Sequence, residues 1–394
     1  MAVDPSEVSN LTTAQQKALS LLPIPSAVLS ILGSSTILYL VVKRQNKDTR
    51  QSYHRILFGM SACDILFSIS MALNPFLEPS TPTNTSPAVW AIGNQKTCSL
   101  LGFLNLLSLS AFWYNGMLSF YYLATIRFGL SPEVFAKRYE GLVHTLSLSY
   151  PLVTATIGLI MGVYDTNEIG PGCWINNYPK NCGSDPTETG ENCTSEYIAW
   201  VFGGIPLLVF LASIAVNNLA IYLYVRRTIR KSRLSSSFRQ TEGQPYDAQT
   251  RRVQAVATQA FLYVASFSST MLWIVVLRAI EGGGYNGADE ASLFPLLMMQ
   301  SALSPLTGFF NLLVYLRPRY LQSRQQFPTE SRLWAIRRAL WGNQVLPSSS
   351  SSAAAAAARA NDSDPERRPS SAGLPKTDNQ PDVDRSGQFL IPAK

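Results

Sequence analysis

Charge is scarce in this chain. Asp, Glu, Lys and Arg make up only 14% of its 394 residues, and they gather in a few clusters. A soluble protein of this length carries closer to about a quarter, spread over its surface. Histidine is scarcer: there are only His54 and His144, each at the end of an apolar run. A membrane enzyme built on convergent imidazoles and carboxylates is therefore not expected. No lysine falls near the centre of any apolar run, so a Schiff-base chromophore has no attachment point. Met1 to Ser20 lacks a basic stretch followed by an apolar core, so no cleavable signal peptide is expected and the first apolar run serves as its own insertion signal.

Long apolar runs fill the rest. An α-helix needs about 20 such residues to cross a hydrocarbon core roughly 30 Å thick. Seven runs qualify, near Leu22–Val42, Ile56–Phe76, Ser99–Ile126, Leu142–Tyr164, Tyr197–Val225, Val253–Leu277 and Leu293–Leu316.

Bases set the expected orientation. Lys43, Arg44, Lys47, Arg50 and Arg55 follow the first run; Arg226, Arg227, Arg230, Lys231, Arg233, Arg239, Arg251 and Arg252 follow the fifth. The positive-inside rule makes these connections cytoplasmic. The other face is acidic, with Glu78, Asp165, Glu168, Asp185, Glu188, Glu191, Glu196, Asp289 and Glu290. The amino end is then outside and the carboxyl end inside. The net charge of +7 reflects inward loops near anionic lipid, and nothing suggests nucleic acid.

Between runs four and five lies GPGCWINNYPKNCGSDPTETGENCTSE, expected outside, where disulfides persist. Its sequon at Asn192, like those at Asn10 and Asn84, falls on the outer face and reads as a glycosylation acceptor. Cys98, Cys173, Cys182 and Cys193 are also outer. Four cysteines allow three pairings, and the sequence does not choose among them. Cys63, inside the second run, reads as a small buried apolar residue.

Polar groups inside the runs stand out, since an intramembrane ionisable residue is costly. Asp64, in LFGMSACDILFSIS, is placed to hold a cation, exchange a proton or accept hydrogen bonds from a neighbouring helix. Asn105, Trp113, Trp273 and Gln300 fall where a ligand pocket is expected to open. Pro75, Pro151, Pro206, Pro295 and Pro305 punctuate five runs, whereas run six has none and reads as a straighter rod.

Past the seventh run, RPRYLQSRQQFPTESRLWAIRRALWGNQ places Leu333, Trp334, Ile336, Leu340 and Trp341 on one helical stripe, with Arg332, Arg337 and Arg338 available to lipid phosphates. The tail from Pro347 is low-complexity and reads as disordered. Ser235 in RKSRLSSS and Ser370 in RRPSS look like substrates of basic-directed kinases.

Several stretches carry a family resemblance. GCWI at Gly172–Ile175 is similar to the Cys-Trp pair of secretin-type and cyclic-AMP-receptor-like G-protein-coupled receptors. SPLTGFFNLLVYLRPRY is similar to the last span of the cyclic-AMP-receptor-like branch, and SACDILFS and NGMLSFYYL fit it too. The resemblance covers about Leu22 to Leu316. It implies a Cys98–Cys173 staple, leaving Cys182 with Cys193. It makes Asp64 the buried acid of span two and puts Gly308, Asn311 and Tyr315 at the inner end of span seven, with Asp64, Asn311 and Tyr315 as a buried switch. It implies a plasma-membrane receptor. The outer amino end of about 20 residues argues against a large hormone-binding domain and for a small extracellular ligand reaching into the bundle or a stimulus sensed by the outer loops. A heterotrimeric G protein would couple at a cavity bounded by Arg127, Arg226, Arg227, Arg230, Lys231 and the Arg317-Pro318-Arg319 corner, and kinases and arrestin-like proteins would act at the tail. The chain departs from these families in having no Asp-Arg-Tyr after YYLATIRFGL, no Cys-Trp-x-Pro in span six, and Thr307 where the branch has Gln. The inactive-state lock is left unassigned.

The expected fold is an all-α membrane protein: a seven-transmembrane helix bundle with a short interfacial helix and a disordered cytoplasmic tail. Its parts are an extracellular segment over 1–21, the bundle over 22–316, the amphipathic helix over 317–346 and the tail over 347–394. The expected function is a signalling receptor without a cofactor. The alternative is a seven-helix transporter or ion- or proton-coupled carrier using Asp64, although carriers usually show paired repeats and several intramembrane charges.

Overall fold

A computed structural model describes residues 11–45, 52–80, 90–166, 172–175, 196–238, 244–282 and 290–342. Seven helices are long and apolar enough to cross a membrane: Thr13–Lys43, Ser52–Leu77, Gln95–Arg127, Glu140–Met161, Trp200–Lys231, Val253–Leu277 and Ser292–Gln326. They carry many exposed large apolar side chains, among them Leu32, Ile160, Val216 and Leu219. Such surface is stable against hydrocarbon and not against water.

Span one starts nine residues before its apolar run. Thr12 caps Thr13–Leu21 and exchanges hydrogen bonds with Gln15, so the first turn's free N–H groups are partly satisfied by side chains. Leu19 of that helix is fully buried and clusters with Leu277 and Leu297. The helix Pro23–Gln45 then packs on Ser52–Leu77.

Three spans are irregular, each for a local reason. In span three the helix breaks between Gln95–Leu107 and Ser110–Arg127, where the hydroxyls of Ser108 and Ser110 donate to Leu104 and Leu107 carbonyls. Span five opens with a π-turn over Trp200–Gly204, where the Ile205 N–H donates five residues back to Trp200. Pro206, with no N–H to give, follows at once. Span seven passes through a 3-10 turn over Ser304–Leu306, with Pro305 at its centre, between Glu290–Leu303 and Thr307–Gln326. Span six, lacking an interior proline, lies in one continuous helix over Gln244–Gly282.

Spans one and seven meet at two glycines. A Cβ on Gly33 would lie 2.8 Å from the Gly308 carbonyl oxygen and 2.9 Å from the Phe309 Cα, and one on Gly308 would strike Ser34 Oγ. Only hydrogen fits at either position.

One end of the bundle carries a small hairpin, β1 (Tyr164–Thr166) against antiparallel β2 (Cys173–Ile175). The other end carries Arg226, Arg227, Arg230 and Lys231. They are called the hairpin end and the basic end below. A hydrophobic core of aromatic and aliphatic side chains from spans one to seven fills the space between, including Met60, Phe67, Phe112, Tyr114, Phe267 and Tyr315.

The chain divides after Arg317, and residues 318–342 are the described part of the second unit. The helix Thr307–Gln326 extends into it, and Arg332–Trp341 follows, so the segment past Arg317 holds two helical pieces instead of one. Ser331 caps the second. Leu333, Ile336 and Trp341 are exposed. The Arg338 guanidinium lies 4.2 Å from the Phe327 ring centroid and 5.1 Å from that of Trp334, and its side chain is half-exposed. Arg332 and Arg337 remain exposed.

Candidate functional site

At the hairpin end, Cys98 is joined to Cys173, with their Cα atoms 5.4 Å apart. Tyr164 seats the other strand. Its ring occupies space that a Cβ on Gly102 or Gly158 would fill, and its hydroxyl donates to the Ala155 carbonyl at 2.8 Å. Burial pushes that phenol well above its ordinary pKa, so it remains a donor at any physiological pH. Trp174 lies against Gly203 in the π-turn of span five. The buried Glu78 accepts the Gly172 backbone N–H, at a residue whose φ of 140° favours glycine. The hairpin is thus tied to spans two, three, four and five.

Asn105 belongs to this anchorage, which corrects its expected role in an open pocket. Its Nδ2 donates to Asn74 Oδ1 at 3.1 Å and to the Cys173 carbonyl at 2.9 Å, and its Oδ1 accepts from Ser70. Both of its N–H donors are taken by the protein, and its oxygen already accepts one hydrogen bond. Trp113 packs on Phe210 and Tyr150, with ring centroids 3.9 and 5.0 Å away. Trp273 donates its indole N–H to Ser269 of its own helix, and Gln300 is half-buried on span seven. Two hollows in the bundle lie elsewhere. One is a groove along Gln95, Ser99, Phe103 and Leu159, and the other a small void among Asn115, Ser119, Tyr122, Ile214 and Tyr263. The four expected pocket residues line neither.

At mid-bundle a buried polar seam links spans one, two, six and seven. Asn311 Nδ2 donates to Asp64 Oδ2 at 2.9 Å. Ser68 Oγ donates to the Asp64 carbonyl and, at 3.3 Å, to that of Pro305, within the 3-10 turn. Ser304 and Thr307 reach Thr270 of span six, and the Gly308 N–H donates to Ser30 of span one at 3.0 Å. Asp64 Oδ1 and Ser61 Oγ, one turn apart on span two, are buried and make no hydrogen bond among the described residues. A carboxyl with one oxygen held and one open has room to keep a proton or meet a cation.

The basic end holds two further clusters. Glu140, at the start of span four, is paired with Arg55 of span two, accepts from Ser52 Oγ at 2.7 Å, and has His144 Nε2 at 4.0 Å. His144 Nδ1 meets the Tyr114 hydroxyl at 3.0 Å, and the Tyr114 ring passes over Gly59, where a Cβ would clash with it. Beside this lies a nest of tyrosines. Tyr53 and Tyr263 share a hydrogen bond of 3.0 Å between hydroxyls, Gln259 Nε2 donates to Tyr53 at 3.1 Å, and Tyr122 stacks on Tyr263. Tyr315 meets His54 edge-on at 6.5 Å.

Arg127 forms no ion pair among the described residues and instead lies 5.5 Å from the Tyr224 ring centroid on span five. Arg226, Arg227, Arg230 and Lys231 continue along that helix. Asn10, Asn84, Cys182, Asn192, Cys193 and Ser370 lie outside the described residues, as does the side chain of Ser235.

Tyr53, Gln259, Tyr263 and Glu140 were not singled out by sequence. Glu140 had a signal: it is an acid beginning an apolar run, when Arg55 stands at the start of another. The tyrosines had none, because nothing local marks which of many will meet.

No protein-family model and no curated protein matches the sequence. The fold, by contrast, matches a solved structure: the crystal structure of squid rhodopsin superposes with a TM-score of 0.59 at 14% identity, covering 88% of this chain and 92% of that one. The chain therefore has the seven-helix fold of that protein.

Proposed function

We propose that the chain is a G-protein-coupled receptor, with the hairpin end outside, the basic end in the cytoplasm and the plasma membrane as its site of action. The observation that carries this reading is the rhodopsin-like bundle with a buried polar seam through its middle. A ligand can shift such a bundle only by binding its two arrangements unequally. The hairpin, tied to four spans, gives a small extracellular ligand a place to act. The seam couples spans one, two, six and seven, and its rearrangement opens the basic end to the carboxyl-terminal helix of a heterotrimeric G protein. Apolar contact supplies the docking and the rim of bases steers the approach. The wording of GCWI and SPLTGFFNLLVYLRPRY favours the cyclic-AMP-receptor-like branch. The carrier alternative is weaker, since Asp64 is the one carboxyl buried at mid-span among the described residues.

The test is guanine-nucleotide exchange by a panel of heterotrimeric G proteins in membranes holding this chain, scanned with metabolite extracts. Changing Arg226, Arg227, Arg230 and Lys231 together to Ala should lower the exchange rate by about tenfold or more with surface amount unchanged, the size of a lost electrostatic steering effect. Exchange that survives the four changes rejects the proposed rim.

Asp64→Asn keeps the shape but removes the charge change. It should flatten the dependence of exchange on pH and on sodium while leaving surface amount within about twofold. Curves that match wild type across both scans reduce Asp64 to packing.

A further inference from the structure

Arg127 has no acid beside it, and the Arg55–Glu140 pair joins spans two and four without reaching span six, so contacts of span six with its neighbours at the basic end come from other groups. We infer that the hydroxyl pair Tyr53–Tyr263, braced by Gln259, is the latch between spans two and six that keeps the coupling face shut. This proposal rests on the receptor reading for its signalling consequence, and on the geometry alone for its mechanical one.

The two sides of the latch are unequal. Tyr53 stands on a fixed post: its neighbours Ser52 and Arg55 both bond Glu140, fastening that end of span two to span four. Tyr263 stands on span six, a single helix without an interior proline to bend at. Span six can therefore release the latch only by moving away as a body. Tyr263 is buried, with Tyr122 stacked on its ring, and Tyr53 is half-buried, so the bond between them is partly shielded from water. Gln259, one turn nearer the basic end, gives Tyr53 a second bond from the same helix. A small void beside Asn115, Ser119 and Tyr122 touches the Tyr263 side chain, so packing on that side of the ring is incomplete.

The latch is made of neutral groups. It is thus insensitive to salt, unlike a surface ion pair. Each bond is also weak enough for a ligand of ordinary affinity to overcome, as a switch requires.

The experiment uses Tyr53→Phe, Tyr263→Phe and the double variant in the full chain, because phenylalanine keeps the ring packing and removes only the hydroxyl. Spin labels at Lys137→Cys and Ala255→Cys report the separation of the basic ends in detergent or nanodiscs. Basal nucleotide exchange is read in parallel. Each single variant should lengthen the label distance; Tyr263→Phe should raise basal exchange about fivefold, the worth of one hydrogen bond, and Tyr53→Phe, which also loses the Gln259 bond, by more. The double should match Tyr53→Phe, because both changes remove one shared contact. Longer distances with no exchange from any G protein support the latch and reject the receptor reading. Unchanged distances with surface-competent protein overturn the latch, whatever the signal. Fully additive single and double variants overturn it as well.

Discussion

Cells expressing Cys98→Ser or Cys173→Ser should display at least about tenfold less of the chain at their surface than wild type, measured by flow cytometry of an amino-terminal tag. The bond closes a loop of 75 residues. Constraining that loop in the unfolded chain is worth about 4 kcal/mol in the chain-entropy description. That is a large share of the stability of most folded proteins, roughly 5–15 kcal/mol. The hairpin has other anchors in Tyr164, Trp174 and the Asn105 amide, but these are close contacts that hold only while Cys173 stays near span three. Because both cysteines serve one bond, the double variant should be no worse than either single. Wild-type display from both singles would end the proposal that the staple sustains the fold.

Arg55→Ala should be more damaging than Glu140→Gln. Removing the arginine leaves a carboxylate that is only 12% exposed without its cation, whereas removing the charge on Glu140 leaves an arginine that is 32% exposed and able to turn to water or lipid phosphate. Breaking a largely buried pair from the side that strands a charge costs about 3 kcal/mol. The apparent melting temperature of purified protein should fall by roughly 5–10 °C for Arg55→Ala, and by less than half of that for Glu140→Gln. Equal losses from the two changes would show that Glu140 is not stranded, and that Ser52 and His144 alone hold it. Destabilising Glu140 also loosens the post under Tyr53, so Arg55→Ala should share the raised basal signal of the latch variants.

Much of the fold was written in the sequence because a bilayer imposes a length. Runs such as Ile56–Phe76 and Val253–Leu277 have little else they can be. The helix Thr13–Leu21 escaped that reading because Gln15, Gln16 and Lys17 look like solvent, although Thr12 and Gln15 spell a helix start. The break in span three was also obscure, since Ser108 and Ser110 are ordinary polar residues until their hydroxyls take helix carbonyls. Within the candidate site, cost made Asp64 visible, but its partner Asn311 is 247 residues away and was reachable only through the family resemblance. Asn105 shows the limit from the other side. An intramembrane amide has to find partners, and whether those are a ligand or the protein's own backbone depends on a hairpin that sequence does not position. Tyr53 and Tyr263, 210 residues apart, are further still from any local rule.

At Gly33 the backbones of spans one and seven meet with no side chain between them, and Gly308 fits under the hydroxyls of Ser30 and Ser34. Side chains absorb small displacements by changing rotamer, and a backbone-on-backbone contact has no such slack. Spans one and seven therefore behave as one stiff plate. The plate begins at Thr13, whose helix seats Leu19 against Leu277 and Leu297. That helix packs against both Pro23–Gln45 and Glu290–Leu303, so it braces the two members of the plate at the hairpin end as well as opening span one.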